Sequence, residues 1–551
     1  MGVEPGTSPT HEVVNQAPPL EGYNVFLENR PLAEAVAREG GDWGQERLTA
    51  FGELCGGEAL EWGRLANENP PVLHTHDRVG RRIDEVEFHP AWHNLLGMAV
   101  GHAVHSLPWR EPRPGAHVVR GALMISLSQA EAGVGCPVSM TYAAVPVVRR
   151  QPEVAAEWES KLISTDYDFG LAPVAEKAGV LCGMALTEKQ GGSDVRANTT
   201  TATPIGRGGP GSEYLITGHK WFCSAPMCDA FLVLAQTETG LSCFFMPRVT
   251  PDGKRNAFHI QRLKDKLGNR SNASSEVEFL GAWARMIGDE GRGVATIMEM
   301  VNHTRLDCTL GSAALMRHGI AQASHYAAHR SAFGRPLIDQ PLMQNVLADL
   351  AIESEAATLV AMRLARAFDA PGDESEVLFK RLATAVSKYW ICKTGVAHAG
   401  EALEVFGGNG FVEEAPMARA YREAPVNSMW EGSGNVICLD VLRALARSPQ
   451  SLEVFFEEVS TAAGGDERLD RFVVQLKDEL SDVIDIEVRA RLIVEKLALA
   501  LQASLLIAHG DASAAEAFCA TRLSGGGGRA YGTLPPGTDF KAIIERHRPQ
   551  V

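Results

Sequence analysis

Apolar residues recur three and four positions apart over long parts of the chain, which is the spacing of an amphipathic helix. The first such part runs from about Pro31 to Ala178 and includes RLTAFGELCGGEALEWGRLANEN. Within it, MISLSQAEAGVGCPVSMTYAAVPVV is apolar enough to predict a buried helix, while its Ser, Gln and Glu residues argue against a membrane span. Residues 1–181 are therefore expected to form a Pro-rich arm and a helical domain.

The pattern changes at Cys182, after which short runs rich in β-branched and aromatic residues follow one another. Examples are EYLITGHKWFCS, AFLVLAQT and SSEVEFLG, and clusters of Gly, Pro, Asn and Asp separate the runs. Because such runs are typical of antiparallel strands, residues 182–290 are expected to form a β-barrel or sandwich.

The helical spacing returns after GDEGRGV and continues to about residue 447. The three longest candidates begin VATIMEMVNH, QPLMQNVLAD and SEVLFKRLAT, and helices of that length predict a bundle over residues 291–447. Residues 448–551 contain two or three further helix candidates and a Gly-rich turn, and they look like an appended helical domain. The expected fold is therefore mostly α with a β insert.

Composition and charge exclude several classes of protein. Hydrophobic residues make up 45 % of the chain and charged residues 22 %, which is unlike a disordered or fibrous protein. The formal net charge of −16 disfavours nucleic-acid binding except through a local basic patch. The ten cysteines show no C-x-x-C spacing, so they are expected to be free thiols of a cytoplasmic protein without a metal site. Neither a secretory signal nor a membrane-spanning helix is expected.

Two segments around the β insert carry polar or aromatic groups suited to a cofactor. In MALTEKQGGSDV, Thr187, Gly192 and Ser193 combine hydroxyls with a flexible backbone that can face a pyrophosphate or the edge of a flavin ring. A simple polar β-turn is the alternative. In GHKWFCS, residues 218–224, the aromatic side chains can stack on a ring system or can belong to the core of the barrel.

Two further segments follow long helix candidates. In RSAFGRP, Arg330 can pair with a phosphate and Phe333 can pack on an adenine, although a helix ending in a basic turn and a Gly explains the same residues. In EVFGGNG, residues 404–410, the adjacent glycines either cap a helix or let the backbone approach a bound cofactor closely.

The segment WEGSGN places the carboxylate of Glu431 beside the indole of Trp430. Burial against an aromatic ring raises the pKa of a carboxyl group towards the range that suits proton abstraction. The alternative is the N-terminus of a helix, which Ser433 or Asn435 caps.

In this order and at these separations, the GGSDV, RxxFGxP, FGGNGF and EGSGN segments resemble the acyl-CoA dehydrogenase family over about residues 120–447. Within the family, the chain looks most similar to the AidB branch. The features that carry this similarity are the chain length, the N-terminal segment NQAPPLEGYNVF, the motif WEGSGN and the additional C-terminal domain. That branch comprises alkylation-response flavoproteins, which the family associates with DNA protection.

The resemblance implies an N-terminal helical domain, a β-barrel and a four-helix bundle, assembled as a homotetramer that is a dimer of dimers. It also implies FAD between the barrel and the bundle, with its adenosine diphosphate half held across a subunit interface. The residues at the matching cofactor positions are Met184, Leu186, Thr187, Gly192, Ser193, Phe222, Cys223, Ser224, Arg330, Phe333, Glu404, Gly408, Trp430, Gly432, Ser433 and Asn435.

By the same resemblance, Glu431 is the catalytic base of an α,β-dehydrogenation of an acyl thioester. Some members place the base before the Arg of the NHTRLD segment instead, where Thr304 stands here and cannot serve. Three residues depart from the family pattern. Glu404 replaces a Gln, Asn302 stands where an Asp is common, and Trp430 replaces a smaller Tyr, which narrows the acyl slot.

Three functions follow from these features. The first is an FAD enzyme that acts on a short or branched acyl-CoA-like substrate or on some small electrophile. The second is a DNA-binding flavoprotein that protects against alkylation, and the third is an assembly module that keeps FAD for stability. After Ser451 the chain has 16 acidic residues against 11 Lys and Arg, which disfavours DNA binding there. Arg443 and Arg447 can still join Arg489, Arg491 and the final RHR in a patch that binds DNA weakly, or they can lie on solvated helix faces.

Overall fold

A computed structural model describes residues 10–551, so part of the expected N-terminal arm, residues 1–9, lies outside the described residues. The mostly α fold with a β insert is confirmed. The N-terminal part contains helices α1 (Arg30–Arg38), α2 (Gln45–Gly56), α3 (Glu58–Glu68), α4 (Pro90–Gly101), α5 (Leu107–Arg110), α6 (Ala116–Ala130), α7 (Gly135–Val148) and α8 (Pro152–Leu162).

This helical part also holds a hairpin that the periodicity does not predict, formed by β1 (Val72–His76) and β2 (Arg82–Glu87). The carboxylate of Asp77 accepts hydrogen bonds from the backbone N–H groups of Val79 and Arg81, which closes the turn. The guanidinium of Arg82 donates to the carbonyl of Ile260, 2.9 Å away, so the hairpin attaches to the β insert. The many charged and polar residues of VLHTH and RIDEVE interrupt the apolar pattern that would predict strands.

The apolar segment expected to form one buried helix forms two, α6 and α7, so that prediction is wrong. The chain breaks at Glu131, whose carboxylate accepts hydrogen bonds from the Val134 N–H (2.8 Å) and the Ser271 hydroxyl (2.8 Å). A buried carboxylate needs such donors, and the break supplies them. Both helices remain buried, as their composition predicts.

The β insert closes into a barrel. Its order is β3-β6-β4-β5-β9-β7, β8 adds to β9, and an antiparallel pairing of β6 with β7 completes the ring. Phenylalanine side chains fill the interior, with Phe231 stacked on Phe258 and Phe258 against Phe279. The strands are β3 (Cys182–Ala185), β4 (Thr201–Pro204), β5 (Glu213–Ser224), β6 (Ala230–Thr237), β7 (Gly240–Pro247), β8 (Phe258–Leu263) and β9 (Ser274–Ile287).

The three long helices predicted after the barrel are confirmed and form a bundle with two shorter ones. The central helix, α9, contacts α6 and α7 of the N-terminal part as well as α10, α11 and α12. A short hairpin, β10 (Ser331–Ala332) with β11 (Arg335–Pro336), follows α9. The bundle helices are α9 (Gly293–His329), α10 (Pro341–Asp369), α11 (Glu374–Glu404), α12 (Pro416–Met429) and α13 (Gly434–Arg447).

The appended part has five helices rather than two or three: α14 (Gln450–Ser460), α15 (Glu467–Ser481), α16 (Ile486–His509), α17 (Ala512–Phe518) and α18 (Phe540–His547). Of the described helices, only α16 is long and apolar enough to cross a membrane, and 67 % of that apolar stretch is buried inside the protein. It packs on α10, α11 and α13, as a core helix does. The chain end returns to the bundle, where His547 contacts Glu355 at 2.9 Å.

A buried ion pair joins the N-terminal part to the bundle. The Arg120 guanidinium binds both carboxylate oxygens of Asp307, and its Nε donates to the Val104 carbonyl at 2.9 Å. The same guanidinium lies 3.8 Å from the centre of the Tyr142 ring. Because both charged groups are almost fully buried, each depends on the other for stabilisation.

We expect Asp307→Asn to lower the stability of the fold by about 3–5 kcal/mol, because the substitution leaves the Arg120 charge buried and unpaired. Urea unfolding followed by circular dichroism measures the change. The control is Glu61→Gln, which breaks a surface ion pair with Arg64 and should leave the unfolding curve in place. Equal effects of the two substitutions would contradict a structural role for the buried pair.

Candidate functional site

Several of the singled-out segments meet where the barrel faces the bundle. Cys136, at the start of α7, lies beside Ser224 at the end of β5 and close to Glu431 in the turn between α12 and α13. Thr304 of α9 lies near the Glu431 carboxylate, and its hydroxyl donates to the main-chain carbonyl of Val301 at 3.1 Å. Residues from four parts of the chain therefore surround one site.

The loop that follows β3 is anchored by a buried ion pair that the sequence reasoning missed. Glu188 is fully buried and accepts hydrogen bonds from Lys220 Nζ (2.8 Å) and from the backbone N–H groups of Thr199 (2.7 Å) and Thr200 (3.1 Å). These donors hold the pKa of Glu188 below its usual value, while burial lowers the pKa of Lys220 to about 8. The sequence signal for this pair was a charged residue in each of two apolar or aromatic segments, Glu188 in TEK and Lys220 in GHKW.

This anchor brings the two cofactor segments of the barrel together. The backbone N–H of Trp221 donates to the carbonyl of Thr187 at 2.8 Å, which joins the loop to β5. A Cβ on Gly192 would collide with the Thr187 hydroxyl, so the loop needs glycine there. Ser193 is exposed, and Met184 and Leu186 are partly buried at the end of β3.

The WFCS residues differ in what they offer a ligand. Phe222 is 53 % exposed and Ser224 is partly exposed, whereas the Cys223 thiol is fully buried, so only the main chain of Cys223 is available. Trp221, whose segment was singled out but which is not among the residues at the matching cofactor positions, presents its indole to Lys264, whose Nζ lies 3.4 Å from the ring centre. An aromatic and basic surface thus borders the site.

The other cofactor segment lies at the far end of the bundle. Arg330 follows Arg305 by 25 residues, about 37 Å along α9. Asn409, next to Gly408, donates to the Tyr326 hydroxyl at 3.3 Å, so the glycine segment lies at this same end with the exposed Glu404. A single protomer therefore holds the predicted cofactor residues as two separate groups.

The turn that carries Glu431 has an unusual backbone. Glu431 has φ of +58°, in the left-handed region that favours glycine, and its carbonyl accepts a hydrogen bond from Arg305 Nε at 3.1 Å. Burial raises the pKa of the Glu431 carboxyl group, and the nearby Thr304 hydroxyl and the charges of Arg305 and Lys388 oppose that rise. The result is a carboxylate poised to accept a proton.

The flanks of this turn reach solvent and the appended part. The Trp430 indole N–H donates to Asn427 Oδ1 at 3.1 Å, which fixes the ring beside the carboxylate. Ser433 precedes α13 without making a side-chain cap. Asn435 instead accepts a hydrogen bond from Arg491 of α16 at 2.9 Å, so the appended part contacts the turn directly.

The basic residues proposed for one patch do not act together. Arg546 binds Glu34 and Glu355, and Arg489 donates to the carbonyls of the α15–α16 connection. Arg443 and Arg447 are exposed and have no carboxylate partner among residues 10–551. The ten cysteines, all within that range, are buried and unpaired, and no cluster of His, Cys, Asp or Glu there suits a metal ion.

Three family models match the chain. Residues 15–169 match the adaptive response protein AidB N-terminal domain, residues 183–281 the acyl-CoA dehydrogenase middle domain, and residues 291–446 the acyl-CoA dehydrogenase C-terminal domain. The three matches follow one another in the order of the helical part, the barrel and the bundle.

Known proteins are similar over most of the chain. AidB of Escherichia coli (strain K12), which is described as an acyl-CoA dehydrogenase, is 46 % identical to this chain. The match covers 94 % of this chain and 95 % of the Escherichia coli protein. Acyl-CoA dehydrogenase family member 11 of Caenorhabditis elegans is 30 % identical over 79 % of this chain and 72 % of its own.

Among solved structures, Caenorhabditis elegans ACDH-11 in complex with C11-CoA superimposes with a TM-score of 0.84. It is 27 % identical, and the match covers 100 % of this chain and 94 % of that one. The resemblance read from the motifs is thereby confirmed: the chain belongs to the acyl-CoA dehydrogenase family, in its AidB branch.

Proposed function

We propose that the protein is an FAD-dependent oxidoreductase that introduces an α,β double bond into a small acyl thioester, with Glu431 as the base. The observation that carries the proposal is the turn at Glu431. Its carboxylate lies near Thr304 and near Cys136, which itself adjoins Ser224 at the end of β5, and burial raises its pKa towards the range in which a carboxylate abstracts protons well. The acyl-CoA dehydrogenase names of the relatives support the reaction class.

The residues present fit FAD. Near the base, the glycine-only position at Gly192, the Thr187 hydroxyl and the exposed Phe222 offer a close backbone approach, a polar group and a ring face. At the far end, Phe333 is 97 % exposed and a Cβ on Gly408 would meet nothing within 4 Å, which leaves an aromatic face and open space for an adenosine diphosphate group. The bound flavin supplies the acceptor for the hydride that leaves the β-carbon.

The chain's own residues supply the proton chemistry. A carboxylate oxygen of Glu431 takes the α-proton, the C–H electron pair forms the new double bond, and the β-hydrogen leaves with its electron pair. The Thr304 hydroxyl lies near the carboxylate, and the Nε of Arg305 binds the main-chain carbonyl of Glu431, which holds the backbone from which the base projects. Because the base must be deprotonated, the reaction should slow as the pH falls below the raised pKa of Glu431.

The substrate is proposed to be short. Trp430 stands where the family resemblance expects a smaller Tyr, and its hydrogen bond to Asn427 prevents the indole from swinging aside. Asn302 lacks the charge that an Asp would offer to the carrier part of an acyl-CoA. Both features favour a small acyl group over a long fatty chain.

The assembly is proposed to be a homotetramer that shares its cofactors. The two groups of cofactor residues lie too far apart along α9 to serve one molecule within one protomer. Exposed apolar side chains at the far end, Phe333, Leu342 and Phe411, are suited to an interface with another copy. Each cofactor would then contact the Glu431 end of one protomer and the Arg330 end of another.

Glu431→Gln should lower the rate of flavin reduction by a short acyl-CoA about 10²–10⁴-fold or more, because the amide cannot accept the α-proton. Stopped-flow absorbance of the flavin under anaerobic conditions measures the rate. Flavin content should stay at the wild-type level. The assignment of the base would fall if the variant were reduced as fast as the wild type.

Arg330→Ala should lower the FAD occupancy and weaken the tetramer together. Among residues 10–551, the Arg330 guanidinium has one hydrogen-bond partner, the Asn15 carbonyl, so it can also bind a neighbour's phosphate. The ratio of flavin to protein absorbance and sedimentation velocity give the two readouts. Arg471→Ala, at an exposed position on α15, is the control. A variant that keeps full occupancy as a tetramer argues against shared cofactors.

Binding of double-stranded DNA remains the second candidate and is expected to be weak, because Arg443 and Arg447, which adjoin the appended part, are two exposed arginines without a carboxylate partner among residues 10–551. With two arginines, log K should fall with log salt at a slope of about −2. Arg443→Ala should weaken binding in fluorescence anisotropy titrations, with Arg471→Ala as the control. Tight binding that persists at high salt would instead favour DNA protection as the main function.

A further inference from the structure

Lys388 is a buried lysine of α11 that points at the turn carrying Glu431. Only 1 % of its surface is exposed. Its Nζ donates to the carbonyls of Trp430 (2.9 Å) and Gly432 (2.6 Å), the residues on either side of Glu431. Within residues 10–551, no carboxylate lies at ion-pair distance from this ammonium, so main-chain carbonyls provide its hydrogen bonds. A buried charge needs such partners.

The backbone of this turn needs to be held. For a residue with a side chain, such as Glu431, the left-handed backbone conformation is less stable than the usual conformations. Surrounding contacts must therefore hold the backbone in this conformation. The carbonyl of Glu431 is bound by Arg305, and the carbonyls before and after it are bound by Lys388. Three successive carbonyls therefore point at two buried cations.

Arg305 cannot hold the turn by itself. Its Nη1 binds Asp440 at 2.7 Å, a carboxylate that it shares with Arg381, so only its Nε reaches the turn. Lys388 is the group that binds both flanking carbonyls and so fixes the direction in which the peptide units on each side of Glu431 point.

We propose that Lys388 is a positioning residue for the base: its ammonium clamps the carbonyls of Trp430 and Gly432 and so keeps the Glu431 carboxylate directed at the α-carbon of the substrate. The role in catalysis rests on the function proposed above, whereas the clamp itself is a property of the fold. A displacement of about 1 Å in a reacting group is enough to cost about 10²-fold in rate.

The test compares wild type with Lys388→Met, which keeps the length of the side chain and removes the ammonium. We expect the rate of flavin reduction at saturating acyl-CoA to fall about 10²-fold while the apparent KM for the same acyl-CoA stays within about threefold, because the clamp orients the base and does not bind substrate. Flavin content should be unchanged.

The pH profile provides a second readout. The charged and titratable groups that face Glu431 are Arg305, Asp307 and Cys308 of α9, Lys388 of α11 and Cys136 of α7. Loss of the Lys388 charge removes an attraction that favours the carboxylate form. The pH below which reduction slows should therefore move upwards in Lys388→Met.

The matched control is Lys380→Met, two turns earlier on the same helix. Lys380 is partly buried and lies over the Phe368 ring, and it makes no hydrogen bond to residues 430–432. It should leave the rate and the pH profile unchanged. A loss of activity that reflects only general damage to α11 would appear in both variants and would overturn the specific role of Lys388.

Lys388→Ala with n-propylammonium keeps the proposal testable if Lys388→Met does not fold. The amine replaces the missing part of the side chain, so the protein is purified with it and then dialysed. The proposal is supported if flavin reduction by the acyl-CoA is lost on dialysis and is restored by the amine but not by n-propanol. Activity that is indifferent to the amine overturns it.

A crystal structure of Lys388→Met separates this proposal from the proposed function. If no acyl-CoA reduces the wild-type flavin, the proposed dehydrogenase function is wrong. The backbone conformation of residues 430–432 in the variant still tests whether Lys388 clamps the turn. A Glu431 residue that has left the left-handed conformation supports the clamp. An unchanged turn, or an unchanged rate and pH profile in an active enzyme, overturns it.

Discussion

Two buried cations, Arg305 and Lys388, bind three successive carbonyls at residues 430–432, and these contacts hold the turn that carries Glu431, the proposed base. A helix cannot continue through Glu431 in the left-handed conformation, so α12 ends before the turn and α13 starts after it. The same two charges favour the ionised form of Glu431, whereas burial favours the protonated form. Position and acidity of the base are therefore set by the same contacts.

The central helix α9 gives this turn its surroundings. It supplies Thr304 and Arg305 next to Glu431, and one turn further along it supplies Asp307 for the buried pair with Arg120. That pair joins the N-terminal part, which carries Cys136 close to Glu431, to the bundle. At its far end the same helix leads to Arg330, so the length of α9 separates the two groups of predicted cofactor residues.

The barrel and the appended part complete the site from two sides. On the barrel, the buried Glu188–Lys220 pair anchors the loop after β3. A side chain at position 192 of this loop would collide with Thr187, which favours glycine there. On the appended part, Arg491 of α16 reaches Asn435 at the start of α13. The appended part is thus tied to the catalytic turn, whereas the basic residues at its end are engaged in ion pairs with Glu34 and Glu355.

The sequence by itself determined the order of the domains, the long helices of the bundle, the family and the candidate base Glu431, because helical periodicity and short glycine-containing motifs are local signals. It did not reveal the hairpin β1–β2, the break at Glu131 or the role of Lys388. Those features depend on pairs far apart in sequence, such as Ser271 with Glu131 and Lys388 with the carbonyls of the turn. Only the tertiary structure decides which buried polar groups meet, since each must find partners wherever the packing brings them.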